Sequence, residues 1–216
     1  MLILKSLLAI SIAPVTYLAR AMCGDIESLV KTGRFSLDGP HPRPTSKLQF
    51  LIGGSGAAAI AISPPLLAAP VALFAYVAVL ISIIDQTTGL IPNRLIYPAL
   101  AAGLFVSAAQ SGVVSLESSI IGALGTFAVV ASTSLLSVAI SGPRTATLGM
   151  GDWKLGATIG AWLGLMPSLA AFVAALATCI GVMTWQRRRL VMVPFAPTFC
   201  FYALFFALSD ILGVTA

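Results

Sequence analysis

Long apolar runs separated by short polar breaks dominate the chain, and eight can be read, at about 2–19, 49–63, 66–84, 95–110, 116–140, 153–164, 167–185 and 196–212. Most approach the ~20 residues that carry an α-helix across a bilayer, and none shows the alternation of apolar and polar positions that marks a membrane strand. The pattern predicts an all-α fold, a polytopic membrane helical bundle of about eight transmembrane segments. Two pairs of segments are split only by Ser63-Pro64-Pro65 and by Gly164 to Pro167, where proline removes a backbone donor and stops a helix. The segment from 153 is short for a full span. It is expected to be tilted or sunk in the bundle, where protein satisfies its backbone ends.

Composition strengthens this reading. Of 216 residues, 58% are hydrophobic and 9% charged, against ~25% charged in a soluble domain. The net charge of +5 is dispersed over short loops without an aromatic-interleaved stripe, so the bilayer and not nucleic acid is the expected partner. If loop 20–48 is cytoplasmic, 11 of the 12 Lys and Arg residues fall on that side and only Lys5 does not, as the positive-inside rule requires. A cleaved secretory signal is the competing reading of the N-terminus, because Lys5, an apolar run and Ala19-Arg20-Ala21 imitate its three regions. Cleavage there would place a basic loop outside.

Residues 24–48 include Gly39-Pro40-His41-Pro42-Arg43-Pro44, too polar and proline-rich for a helix, and read as a tether. The expected division is a first transmembrane helix with its basic cytoplasmic loop at 1–48 and a membrane-embedded core at 49–216. His41 has no second ligand type nearby, and Cys23, Cys179 and Cys200 lack CxxC spacing. Neither a metal site nor a cofactor is expected, and the cysteines read as inert thiols. Arg187-Arg188-Arg189 reads as a topology anchor on lipid phosphate. The aromatics of 195–206 read as lipid or helix contacts, and Gly53-Gly54-Ser55-Gly56 as a place of close helix packing.

Two acids stand out against this background. Asp85 ends an apolar run and Asp152 lies within GMGDWKLG at 149–156. With the topology above, both sit at cytoplasmic helix ends. A carboxylate at the edge of hydrocarbon marks a proton, ion or catalytic site by default. Two carboxylates brought together cannot both ionise comfortably, and such a pair can activate water with one member and polarise a carbonyl with the other. It titrates as a unit. Position alone leaves other readings open: Asp152 as a helix cap, the pair as the coupling site of a proton- or cation-driven transporter, or a scaffold without chemistry.

The strings around the acids narrow these choices. DQTTGLIPN from Asp85 to Asn93, GMGD at 149–152 with Lys154 and Leu155, GAWLG at 160–164 and Val193-Pro194-Phe195-Ala196-Pro197 together resemble the motifs of the type IV prepilin peptidases, a family of GxGD membrane aspartyl proteases. Ala196 stands where that family has Gly in its PFGP motif. The resemblance implies that Asp85 and Asp152 are the catalytic pair, with Gly149, Gly151 and Lys154 as motif companions. It implies hydrolysis after a Gly at the end of the basic leader of type IV prepilin or pseudopilin precursors, at the cytoplasmic face of the bacterial inner membrane and within reach of pilus assembly machinery. Bifunctional members carry paired CxxC motifs between their first two spans, linked to N-methylation. That place here holds loop 20–48 with Cys23 alone, so the chain is closer to the minimal peptidases of Flp/Tad-type pili. A presenilin-like intramembrane protease is a further alternative, although Ile84 stands where that family places Tyr.

Overall fold

The computed structural model describes residues 67–109, 114–141, 148–185 and 195–211, together with residue 54 and residues 57–58 and 60–64. Six helices are delimited there: α1 (Ala68–Thr88), α2 (Asn93–Ala108), α3 (Leu116–Ser141), α4 (Met150–Leu163), α5 (Leu165–Trp185) and α6 (Phe195–Ile211). The described residues contain no strand. Three helices are long and apolar enough to cross a membrane, within Ala68–Gln86, Leu116–Ile140 and Leu165–Trp185. The chain is an all-α membrane protein.

The six helices follow the apolar segments from 66 to 212, with three informative shifts. The α1 helix runs four residues past the apolar run, to Thr88, so Asp85 lies inside its last turn. The α4 helix begins at Met150, which places Asp152 inside the first turn instead of ahead of the helix. The α5 helix starts at Leu165 with Pro167 in its first turn, where a missing amide hydrogen costs no intrahelical bond. The break between α4 and α5 is therefore Gly164 alone, with φ 78, a left-handed conformation that suits glycine. Segment 2–19, the tether, the division at 48, Cys23, His41 and Arg187-Arg188-Arg189 lie outside the described residues. Of segment 49–63 only residue 54 and residues 57–58 and 60–63 fall within them, and all of these but Ser63 are helical.

The 14-residue α4 is too short to cross a bilayer by itself, and it is sunk in the bundle as its length predicts. Every residue from Leu155 to Leu163 is buried, the pattern of a helix surrounded by protein. Its backbone meets that of α3 where two glycines face each other: a Cβ on Gly160 would overlap the carbonyl oxygen of Gly122, and one on Gly122 would overlap that of Gly160. Small residues allow such an approach between membrane helices. At Gly54 a Cβ would have no neighbour within 4 Å; the other residues of the run at 53–56 lie outside the described residues.

Beyond this glycine contact, Trp162 fastens α4 to α2 and α1. Its indole nitrogen donates to the carbonyl of Ala99 at 2.9 Å, and its ring stacks on Phe74 with centroids 5.4 Å apart. The α3 helix binds its neighbours through hydroxyls, with Ser119 donating to the Ala161 carbonyl, Thr126 sharing a 2.6 Å bond with Ser168 and Ser134 donating to the Leu148 carbonyl at 2.8 Å. Its other face exposes Leu124, Leu136 and Ile140, as a lipid-facing helix does. Between α5 and α6, Phe172, Phe195 and Phe199 form a buried aromatic cluster, whereas Phe205 is half exposed. These are the helix contacts and outward-facing positions expected of the aromatics.

Candidate active site

The last turn of α1 carries Asp85 into the protein interior. Ile83, Ile84, Asp85, Gln86 and Thr88 are all buried. Gly89 closes the helix in a left-handed conformation (φ 65), its amide donating to the Asp85 carbonyl at 2.8 Å. The Thr88 hydroxyl donates to the Ile84 carbonyl at 2.8 Å and accepts the Leu90 amide at 3.2 Å. Pro92, in an extended conformation, opens α2. The string from Asp85 to Asn93 thus builds a tight connection between two helices, directly beyond the acid.

At the C-terminus of its own helix Asp85 meets the unfavourable end of the dipole. A second helix offsets this. The backbone amide of Ala196, in the first turn of α6, donates to the Asp85 carboxylate, and helix N-termini favour anions. This is the local meaning of the Phe195-Ala196-Pro197 string: it starts a helix against the acid, with proline in the turn whose amides lack helical partners.

Asp152 is held in a related way by its own helix. The Gly149 amide donates to Asp152 Oδ2 at 2.7 Å, and the Asp152 amide donates to the Gly149 carbonyl at 3.0 Å. Burial pushes the Asp152 carboxyl up to about 6, against the opposing pull of the Gly149 amide. The two motif glycines serve different ends. A Cβ on Gly151 would lie 3.2 Å from that of Ile91, so Gly151 lets the α1–α2 connection approach. A Cβ on Gly149 would meet nothing nearer than 3.9 Å; Gly149 contributes through its amide. Lys154 ties the two motifs together, its Nζ donating to Asn93 Oδ1 at 2.8 Å and lying 5.6 Å from the centre of the Tyr97 ring.

The two acids come together. The charge of Asp152 acts on Asp85, and the charges of both reach the Cys200 thiol of α6. Cys200 is hydrogen-bonded to Ser82 of α1, and Cys179 of α5 to Thr198 of α6; both cysteines are buried and free. The end of α1 and the starts of α4 and α6 therefore meet at one polar junction at the end of an apolar bundle, with Asp85 buried and Asp152 partly exposed. Sequence reasoning finds both acids and Lys154. It misses the parts played by the Ala196 amide, Ser82 and Gln86; Ala196 and Gln86 stand inside motif strings, and Ser82 has only its position within a turn of Asp85 as a signal.

Residues 72–186 match the sequence model of the Type IV leader peptidase family. The chain is 33% identical over 157 residues to the Prepilin leader peptidase/N-methyltransferase of Burkholderia pseudomallei, covering 69% of this chain and 50% of that protein. It is 29% identical over 157 residues to the protein of the same name from Escherichia coli, covering 71% of this chain and 68% of that one. A third relative, a Type 4 prepilin-like proteins leader peptide-processing enzyme from another Escherichia coli strain, is 32% identical over 118 residues, 54% of this chain and 42% of its own length. The chain spans about half the length of the Burkholderia relative, and no solved structure matches it significantly. The family match takes in both acid motifs and the glycine contact beneath them, and the chain belongs to the Type IV leader peptidase family.

Proposed function

We propose that this protein is a prepilin leader peptidase that hydrolyses the bond after a Gly at the end of a basic leader, using Asp85 and Asp152 as its catalytic pair. The observation that carries the reading is the junction itself. Two carboxylates from distant parts of the chain lie within electrostatic reach of each other, each accepting a backbone amide at a helix N-terminus. Family membership and the names of the relatives supply the reaction class and the kind of substrate.

In this reading the pair holds one proton between its two carboxyls. The ionised member takes a proton from water as the water oxygen attacks the scissile carbonyl carbon, and the protonated member gives its proton to the carbonyl oxygen. In the second step the member that gained the water proton passes it to the leaving nitrogen. The C–N bond breaks, and the other member recovers its proton from the collapsing diol. One water is consumed, an acid and an amine are formed, and the pair ends with the proton it began with.

Arg94 and Lys154 lie at the same end of the bundle as the acids, in the first turns of α2 and α4. This supports a cytoplasmic orientation of the site at a bacterial inner membrane, the side on which basic prepilin leaders are presented. The leader peptidase reaction is the one assigned, without N-methylation, because the region between the first two apolar segments carries Cys23 alone. The test is co-expression with type IV and Flp-type prepilins, with leader removal read as a gel shift and Asp152→Asn as the paired control. Leader loss with the parent alone supports the reading. A folded, membrane-inserted parent that cleaves none of the precursors contradicts it and directs attention to ion-coupled transport.

A further inference from the structure

Among the described residues, the buried side-chain polar atoms without a hydrogen-bond partner are Gln86 Oε1, Gln86 Nε2 and Trp153 Nε1. Each belongs to the residue that directly follows one of the two acids. Gln86 is the more telling, because it is only 3% exposed and both ends of its amide are unsatisfied. Buried polar groups in folded proteins are paired almost without exception, so an orphan calls for a partner that arrives later or for a functional role.

The surroundings of Gln86 follow from contacts already described. Ser82 of α1 is hydrogen-bonded to Cys200 of α6, and Asp85 accepts the amide of Ala196. Advancing along α1 thus means retreating along α6, and the two helices run antiparallel. Residues four apart share one face of a helix, so Gln86 lies one turn beyond Ser82, level with the first turn of α6 where Ala196 meets Asp85. A donor and an acceptor on one rigid planar group match the N–H and C=O that an extended peptide presents. They suit main chain better than the basic side chains of a leader, which would call for acids.

We propose that Gln86 is a substrate-binding residue, its side-chain amide pairing with the main chain of the leader peptide laid across Asp85 and Asp152. Nε2 donates to one peptide carbonyl and Oε1 accepts one peptide N–H. This rests on the peptidase reading above and adds to it the part of the substrate that is recognised, a stretch of extended backbone near the scissile bond.

The test uses the full-length protein in detergent with synthetic leader peptides spanning the cleavage site. Gln86→Leu and Gln86→Met keep most of the volume and remove the pairing capacity, a change that leaves folding intact or improves it when the lost group was unpaired. The expected result is a loss of about 10- to 100-fold in kcat/KM, expressed mainly in KM, with an unfolding temperature at or above that of the parent. In parallel, peptides N-methylated at one main-chain nitrogen at a time are compared. One position is expected to weaken cleavage by the parent and to cause no further loss in Gln86→Leu, a coupling that a purely structural glutamine would not produce. Kinetics within twofold of the parent, or a loss of activity that merely follows a loss of folded protein, overturns the proposal. A parent that cleaves no leader peptide overturns the peptidase reading itself, and this assignment with it.

Discussion

At its first turn α4 presents the Gly149 amide and the Asp152 carboxylate to a junction of three helix ends, with an unpaired indole nitrogen on the next residue. Two turns later the same helix lies backbone to backbone against Gly122, and its Trp162 indole is fully used, donating to Ala99 and stacking on Phe74. One end of a 14-residue helix keeps polar groups unsettled, and the other leaves almost nothing unpaired. The contrast is what the proposed hydrolytic site needs. Carboxylates at the end of an apolar bundle stay near one another only if the helices bearing them cannot slide, and the glycine and tryptophan contacts of α2, α3 and α4 supply that fixed frame.

Changes at the acid end should separate activity from folding most sharply. Asp85→Asn or Asp152→Asn is expected to lower leader cleavage by about 10²- to 10⁴-fold, the range set by general acid–base groups. Membrane insertion should stay near the parental level and thermal unfolding in detergent should not fall below it, since neither change opens a cavity. Changes at the packed end should do the reverse. Gly160→Val places a branched side chain where even a Cβ would overlap the Gly122 carbonyl. It should cost at least about 1–3 kcal/mol, read as a lower unfolding temperature, while the molecules that do fold cleave at the parental rate.

A third expectation concerns pH. The Asp152 carboxyl is raised to about 6 in the folded protein by burial, from ~3.9 in an unfolded chain. The folded state then binds more protons between those values, so this group's contribution makes stability fall as pH rises through that window and level off above it. Asp152→Asn removes the dependence. The variant should be more stable than the parent above pH 6, on the order of 1–3 kcal/mol, and the gap should close below about pH 4. Denaturation curves at several pH values check this. The smallest effect belongs to Lys154→Met, which removes the exposed bond to Asn93. It should cost about 1 kcal/mol or less and change cleavage only a few-fold.

The helices from α1 onward were legible because apolar runs and glycine or proline breaks are local signals, and the short α4 announced its burial by its length. What stayed hidden depended on contacts across the bundle. Asp85 looked poorly placed at a helix C-terminus, and only the fold reveals that the N-terminus of α6, starting 110 residues later at Phe195, supplies the amide it needs. Gly149 and Gly151 looked alike in sequence, yet one acts through its amide and the other through the space it leaves for Ile91. The close contact between Gly122 and Gly160 was not singled out either, because packing selects glycines by the partner they face. Gln86 stood inside the DQTTGLIPN string with nothing to set it apart from its neighbours. Its interest lies in missing partners, which a sequence does not record.

The claim at the centre is that Asp85 and Asp152 act as one hydrolytic unit, and single-turnover leader cleavage by the parent, Asp85→Asn, Asp152→Asn and the double variant measures it directly. A shared-proton pair predicts that the double variant is no slower than either single one, because removing one member already disables the other. Losses that multiply, or cleavage retained in either single variant, would contradict it.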